Sequence, residues 1–213
     1  DRTAQYRLSV PLAQRPNLLA GSVFDLEPDT AYDVRLTMSD PDGVTGEAER
    51  TVRVRTRTEP QPYRGGRTLH VYPPDYQGQR VEPSFTGVLQ AYYGAGLGDW
   101  NVVWERRAQP GDTLLVHAGL YKPERTNYVD PMMAPFDGTM WLTLRGAPDK
   151  PITIKAAGDG EVIFDGARNH TLFNVMASAH HIFDGLTFRN TDVAIFAGQK
   201  GAMGAVGLTV KKC

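Results

Sequence analysis

Apolar and polar residues alternate along most of this chain, in short runs broken by Gly, Pro, Asp and Asn. In the first 58 residues Tyr6, Leu8 and Val10 alternate with Arg7 and Ser9. Tyr32, Val34, Leu36 and Met38 fall on one face of a run from Ala31, and Val52 and Val54 oppose Arg53 and Arg55. Ser22–Leu26 reads as a further strand, and Asp40-Pro-Asp-Gly43 is a tight-turn signal. A period of two with one charged face predicts antiparallel pairing with a wet outer side.

Residues 59–83 read as linker and first strand, with Leu69-His-Val-Tyr72 between Pro- and Gly-rich stretches. One helix is predicted, starting at Ser84 as N-cap, with Phe85, Val88, Leu89 and Tyr92 on one face and Gly94 as its stop. Residues 94–109 are irregular and carry Trp100 and Trp104. From Pro110 onward the chain is a series of three- to five-residue apolar runs. Two of them recur: Val162-Ile-Phe-Asp-Gly166 as His181-Ile-Phe-Asp-Gly185, and Gly185-Leu-Thr-Phe188 as Gly207-Leu-Thr-Val210. Short strands recurring at a period near 20 predict a solenoid. Ile152, Ile154, Val162, Phe164, Leu172, Val175, Ile182, Leu186 and Phe188 are the expected stacked interior.

Two resemblances follow. Leu26-Glu-Pro-Asp-Thr-Ala-Tyr32 resembles the corner of the fibronectin type III family, in which a Tyr hydroxyl bonds back to the chain. About four of the usual seven strands are present, which reads as the back half of such a domain. The ordered set of helix, Pro110–Val116, Gly119-Leu-Tyr121, Gly146–Ile154, Gly160–Gly166 and His181–Asn190 resembles the opening turns of right-handed parallel β-helix proteins of the pectate-lyase superfamily. The likeness is to the alginate lyase and chondroitinase B group in particular. The expected fold class is therefore all-β: a partial fibronectin type III-like sandwich over 1–58, a linker and first strand over 59–83, and a cap helix with incomplete β-helix turns over 84–213. The chain is expected to be an excerpt, cut at both ends.

Charge narrows the partners. Net charge is −1, with 23 basic and 24 acidic residues interspersed. That gives no electrostatic footprint for nucleic acid. No apolar run approaches the roughly 20 residues that span a bilayer. The one cysteine, Cys213, allows no internal disulfide. A secreted or cell-surface location, periplasmic or extracellular, is expected from the resemblance.

The same resemblance implies a carbohydrate-active protein that acts on or binds an extended, uronate-type polysaccharide. A polysaccharide lyase or a glycoside hydrolase fits, as does a non-catalytic, adhesin-like or structural surface protein. The catalytic turns of the resembled enzymes lie later in the fold, so no catalytic residue is carried over, and little lyase activity is expected of this chain. Carbohydrate-binding candidates are Trp100, Trp104, Lys155 and Arg189. Asp165 and Asp184, each before a Gly in the recurring motif, are candidate ligands for Ca2+. Arg168, His170 and Lys211 are further surface-capable groups. His180 and His181 are adjacent, so on a strand they face opposite ways and do not share one ion. Asn169-His-Thr171 matches a glycosylation sequon.

Overall fold

The structure is a computed structural model that describes residues 10–12, 15–20, 22–94, 107–123, 138–200 and 203–213. The chain divides into two compact units, Asp1–Glu59 and Pro60–Cys213.

The first unit holds two separate antiparallel ladders. Strands β1 (Val10–Leu12) and β2 (Arg15–Ala20) form one, and β3 (Ala31–Thr37) and β4 (Glu49–Arg55) form the other. The β3–β4 register sets Tyr32 opposite Val54 and Val34 opposite Val52. On the other face Arg35 meets Glu49 at 2.6 Å, and Arg55 at the end of β4 meets Asp29 at 2.8 Å. The Asp40–Gly43 turn closes as its chemistry predicts: Gly43 N–H donates to the Asp40 carbonyl and Asp42 N–H to its carboxylate. The Tyr32 hydroxyl accepts from Glu27 N–H at 2.9 Å, so the corner bond is present. Ser22–Leu26 is not a strand.

The second unit contains β5 (Thr68–Tyr72), β6 (Ser84–Thr86), α1 (Val88–Tyr93), β7 (Thr113–Val116), β8 (Gly119–Tyr121), β9 (Met140–Trp141), β10 (Ile152–Ala156), β11 (Val162–Asn174), β12 (His181–Asp184), β13 (Thr187–Phe196), β14 (Gln199–Lys200), β15 (Met203–Gly204) and β16 (Thr209–Lys211). A six-stranded parallel sheet runs in the order β16-β12-β10-β7-β5-β6. A four-stranded parallel sheet runs β13-β11-β8, with β9 also paired to β11. β14 and β15 form a small antiparallel pair.

Register builds the core. Leu69, Leu114, Ile154 and Phe183 lie side by side across four strands of the larger sheet, all buried. Tyr121, Phe164 and Phe188 lie side by side in the smaller sheet, the first two buried. Phe173 of β11 packs on Phe164 at 5.1 Å between ring centres and on Phe183 of β12 at 5.5 Å, so the two sheets share one interior. Of the nine positions expected inside, eight are buried and Phe188 is partly so.

The expected composite of a partial fibronectin type III-like sandwich and β-helix turns with a capping helix is corrected here. Among the described residues of the first unit, β1–β2 and β3–β4 are separate ladders, and no strand joins them into a sandwich. None of its described side chains is buried, and Phe24, Leu36, Met38 and Val54 are exposed. A sandwich is defined by that missing interior. In the second unit the recurring motifs do not stack on one another. Asp165 lies in β11 and Asp184 in β12, in different sheets, and Thr187 and Thr209 are likewise split between β13 and β16. Ile152 pairs with His181 but Thr68 with Thr113, so strand spacing along the chain is not uniform. What the structure shows, among the described residues, is a mostly β chain with two parallel sheets, three two-stranded antiparallel ladders and one short helix.

That helix begins at Val88, not Ser84. Phe85 pairs with Val71 as part of β6, and the Gly87 cap carries no side-chain bond. Gly94 closes it in the left-handed conformation at φ 81°, where glycine is preferred. No helix among the described residues is long and apolar enough to cross a membrane.

Candidate functional site

The parallel register also aligns the opposite positions, among which Asp184 is buried. Ser84, His70, Leu115, Lys155, Asp184 and Lys211 occupy one row across β6, β5, β7, β10, β12 and β16. Neighbouring strands are spaced about 4.8 Å apart, so the row crosses the whole sheet as a nearly straight line of side chains. Lys155 is exposed. Lys211 Nζ is 3.9 Å from the Asp184 carboxylate and donates to the Pro60 carbonyl.

At one end of this row a hydrogen-bonded chain leaves the strand. His70 Nδ1 is 2.9 Å from His117 Nε2, and His117 Nδ1 is 2.6 Å from Asp159 Oδ2. Asp159 Oδ1 accepts from Ala118 N–H. Burial works against the Asp159 charge, but the bonds from His117 and Ala118 outweigh it and hold its carboxyl below the usual range. An ionised Asp159 fixes the proton on His117 Nδ1, so His117 Nε2 offers a lone pair to His70. Burial, then the neighbouring His117, push the His70 imidazole below its ordinary value, with Glu82 opposing. His70 is thus neutral near pH 7, donating through Nδ1 and keeping a lone pair on Nε2.

Aromatic packing makes this chain rigid. Tyr72 stacks on His117 at 4.1 Å and 4° between planes, and the Arg80 guanidinium sits 5.3 Å from the centre of the same Tyr72 ring. The Tyr72 hydroxyl accepts from Val81 N–H. Tyr121 OH donates within this neighbourhood to the Val71 and His117 carbonyls. Beside Ser84 is a recess of about 300 Å³, lined by Arg67, Leu69, Glu82, Pro83, Ser84 and Phe85. Glu82 carboxylate oxygens accept from Ser84 N–H and from its hydroxyl, and those bonds keep Glu82 ionised below its usual range.

The residues singled out from sequence fall elsewhere or only partly here. Trp100 and Trp104 lie outside the described residues. Lys155 is on the row. Arg189 is on β13 and binds Asp165 at 2.9 Å, and Asn190 donates to the same oxygen. Asp165 also accepts from Ala167 N–H, the leading cause of its lowered pKa. Asp165 and Asp184 are not brought together: they stand in different sheets, each beside its own cation. No group of three or more His, Cys, Asp or Glu side chains suited to a metal occurs among the described residues. Arg168 is exposed in the irregular middle of β11, and His170 bonds Thr171 Oγ1. His181 is buried against Tyr92, and Asn169 is buried with its amide on the Gly138 and Thr171 carbonyls, which closes the sequon to modification in the folded chain.

Sequence reasoning missed the His70–His117–Asp159 chain. Its members are 47 and 42 residues apart, and only the strand register joins them. It also missed Trp141, an exposed aromatic on β9 whose carbonyl is fixed by the Tyr93 hydroxyl. No family model, curated protein or solved structure matches this chain.

Proposed function

We propose that this protein is a secreted or surface carbohydrate-active protein whose second unit binds an extended acidic polysaccharide. The observation that carries the reading is the row that places Lys155 in register with Asp184 and Lys211 across parallel strands. A polymer laid across the strands meets a side chain at each strand step of about 4.8 Å. Exposed Lys155, and Arg189 on the other sheet, supply positive charge for carboxylates.

Affinity electrophoresis tests this. In gels containing polygalacturonate or alginate the protein should be retarded, and a neutral glucan should leave it unaffected. Retardation should weaken as salt screens the charges, and the Lys155→Ala, Arg189→Ala double variant should lose most of it. Equal mobility in all gels refutes the reading.

A further inference from the structure

We propose that Ser84, His70, His117 and Asp159 form an acyl-ester hydrolase site, with Ser84 as nucleophile and a small acyl group seated in the adjoining recess. β6, β5 and β7 are consecutive in the larger sheet, and His117 directly follows β7. His70 on β5 therefore has His117 on one side and Ser84 on the other. Its Nδ1 is committed to His117 at 2.9 Å. The two ring nitrogens diverge, so Nε2 points away from His117. Ser84 on β6 is the in-register partner of His70, on the same face of the sheet.

The order nucleophile, base, orienting group is the arrangement that activates a hydroxyl. Here the orienting group is an imidazole backed by a carboxylate. Proton transfer from Ser84 would be shared over two rings and Asp159. A glycosidase needs two carboxyl groups flanking the bond, and of the residues lining the recess only Glu82 carries one. An ester needs only a hydroxyl, a base of moderate strength and a stabilised oxyanion. The recess of about 300 Å³ beside Ser84 has apolar walls in Leu69, Pro83 and Phe85. Arg67, clamped by Asp112 at 2.6 Å, adds a fixed cation to its wall.

In the structure the Ser84 hydroxyl donates to Glu82 Oε1 at 2.8 Å. The proposed reaction requires a χ1 rotation of Ser84 that turns its hydroxyl from Glu82 to His70 Nε2. Ser84 Oγ then bonds the ester carbonyl carbon as its proton passes to His70 Nε2. The tetrahedral intermediate breaks its ester C–O bond, and the leaving alkoxide takes that proton, which frees the alcohol. Water attacks the acyl-serine, gives a proton to His70, and the Ser84–acyl bond breaks. The proton returns to Ser84 Oγ and a carboxylic acid leaves.

The test uses the whole chain with p-nitrophenyl acetate and with a fluorophosphonate probe read by peptide mass spectrometry. Expected are p-nitrophenol release above that of free imidazole at equal concentration, and probe attached at Ser84. Ser84→Ala and His70→Gln should each lower turnover at least about 100-fold, and Asp159→Asn about 10-fold or more. Labelling is read on the unaltered protein, so it decides the matter even if a variant fails to fold. An unlabelled Ser84, no turnover above the imidazole rate, or full turnover in folded Ser84→Ala overturns the proposal.

Discussion

The Tyr92 hydroxyl, on the short helix, lies 2.9 Å from His181 Nε2 at the start of β12, with both side chains buried. His181 Nδ1 donates to the Ala179 carbonyl, so Nε2 is the acceptor and Tyr92 the donor. The same hydroxyl accepts from Leu144 N–H at 2.7 Å. One phenol thus ties α1 to the larger sheet and to the segment after β9. Burial, helped by neighbouring His180, pushes His181 down to about 4.

The sign follows from linkage. The unfolded chain takes a proton on His181 near pH 6.5, while the folded chain resists until about 4. Stability from this group is therefore complete above about 6.5 and is lost as pH falls toward 4, by up to about 3 kcal/mol. Urea midpoints from pH 8 to 4.5 should fall along that course. Tyr92→Phe should cost about 1–3 kcal/mol at pH 8, because it leaves buried His181 Nε2 and the part-buried Leu144 N–H unbonded. A flat profile between pH 7 and 5 would contradict the neutral, buried His181.

Two ion pairs of equal length should differ widely in worth. Arg35–Glu49 and Arg67–Asp112 both measure 2.6 Å. The first is open to water, and exposed pairs contribute about 0–1 kcal/mol. Asp112 is 4 % exposed and also accepts from the N–H groups of Arg67 and Gln109. Asp112→Asn should cost about 2–3 kcal/mol in urea unfolding of the second unit, and Arg35→Ala no more than about 0.5. Equal losses would place both pairs in the same environment, against the geometry.

Calcium should leave this protein unmoved. Asp165 is bonded by Arg189, Asn190 and Ala167 N–H, and Asp184 has Lys211 beside it. A cation would have to displace those partners and would gain one carboxylate at each place, where calcium takes six to eight oxygens. Thermal midpoints with 5 mM (roughly, a saturating level for most extracellular sites) CaCl2 and with EDTA should coincide. A rise that Asp165→Asn or Asp184→Asn abolishes would restore the calcium reading.

The interior was legible because strand alternation is local. Ile152, Ile154, Val162 and Phe164 stand at alternating positions of their runs, and all four are buried. The helix start was misplaced because Ser84 and Phe85 suit a cap and a helical face as well as a strand. Pairing with His70 and Val71, which is long-range, decided between them. The Asp-Gly repeats suggested stacking, yet Asp165 pairs with Arg189 and Asp184 with Lys155 and Lys211, since sheet membership is set by turns between strands. For the same reason His70, His117 and Asp159 carry no shared local signal. Their contact exists only after β5, β7 and β10 are in register.

Phe173 should be the most costly single truncation in the interior. It is fully buried and lies within 5.9 Å, ring centre to ring centre, of Phe164, Phe183 and Phe188, which belong to three different strands of both sheets. Removing it opens a cavity walled by elements that cannot close together without breaking ladder bonds. Phe173→Ala should therefore cost about 3–5 kcal/mol, the upper range for buried aromatics, and Phe173→Leu roughly half of that. Phe188, only partly buried, has water on one side, so Phe188→Ala should cost clearly less. Urea unfolding with unchanged slope separates a stability change from a change in the unfolded state. Equal losses for the Phe173→Ala and Phe188→Ala variants would show that the sheets do not share the interior that Phe173 bridges.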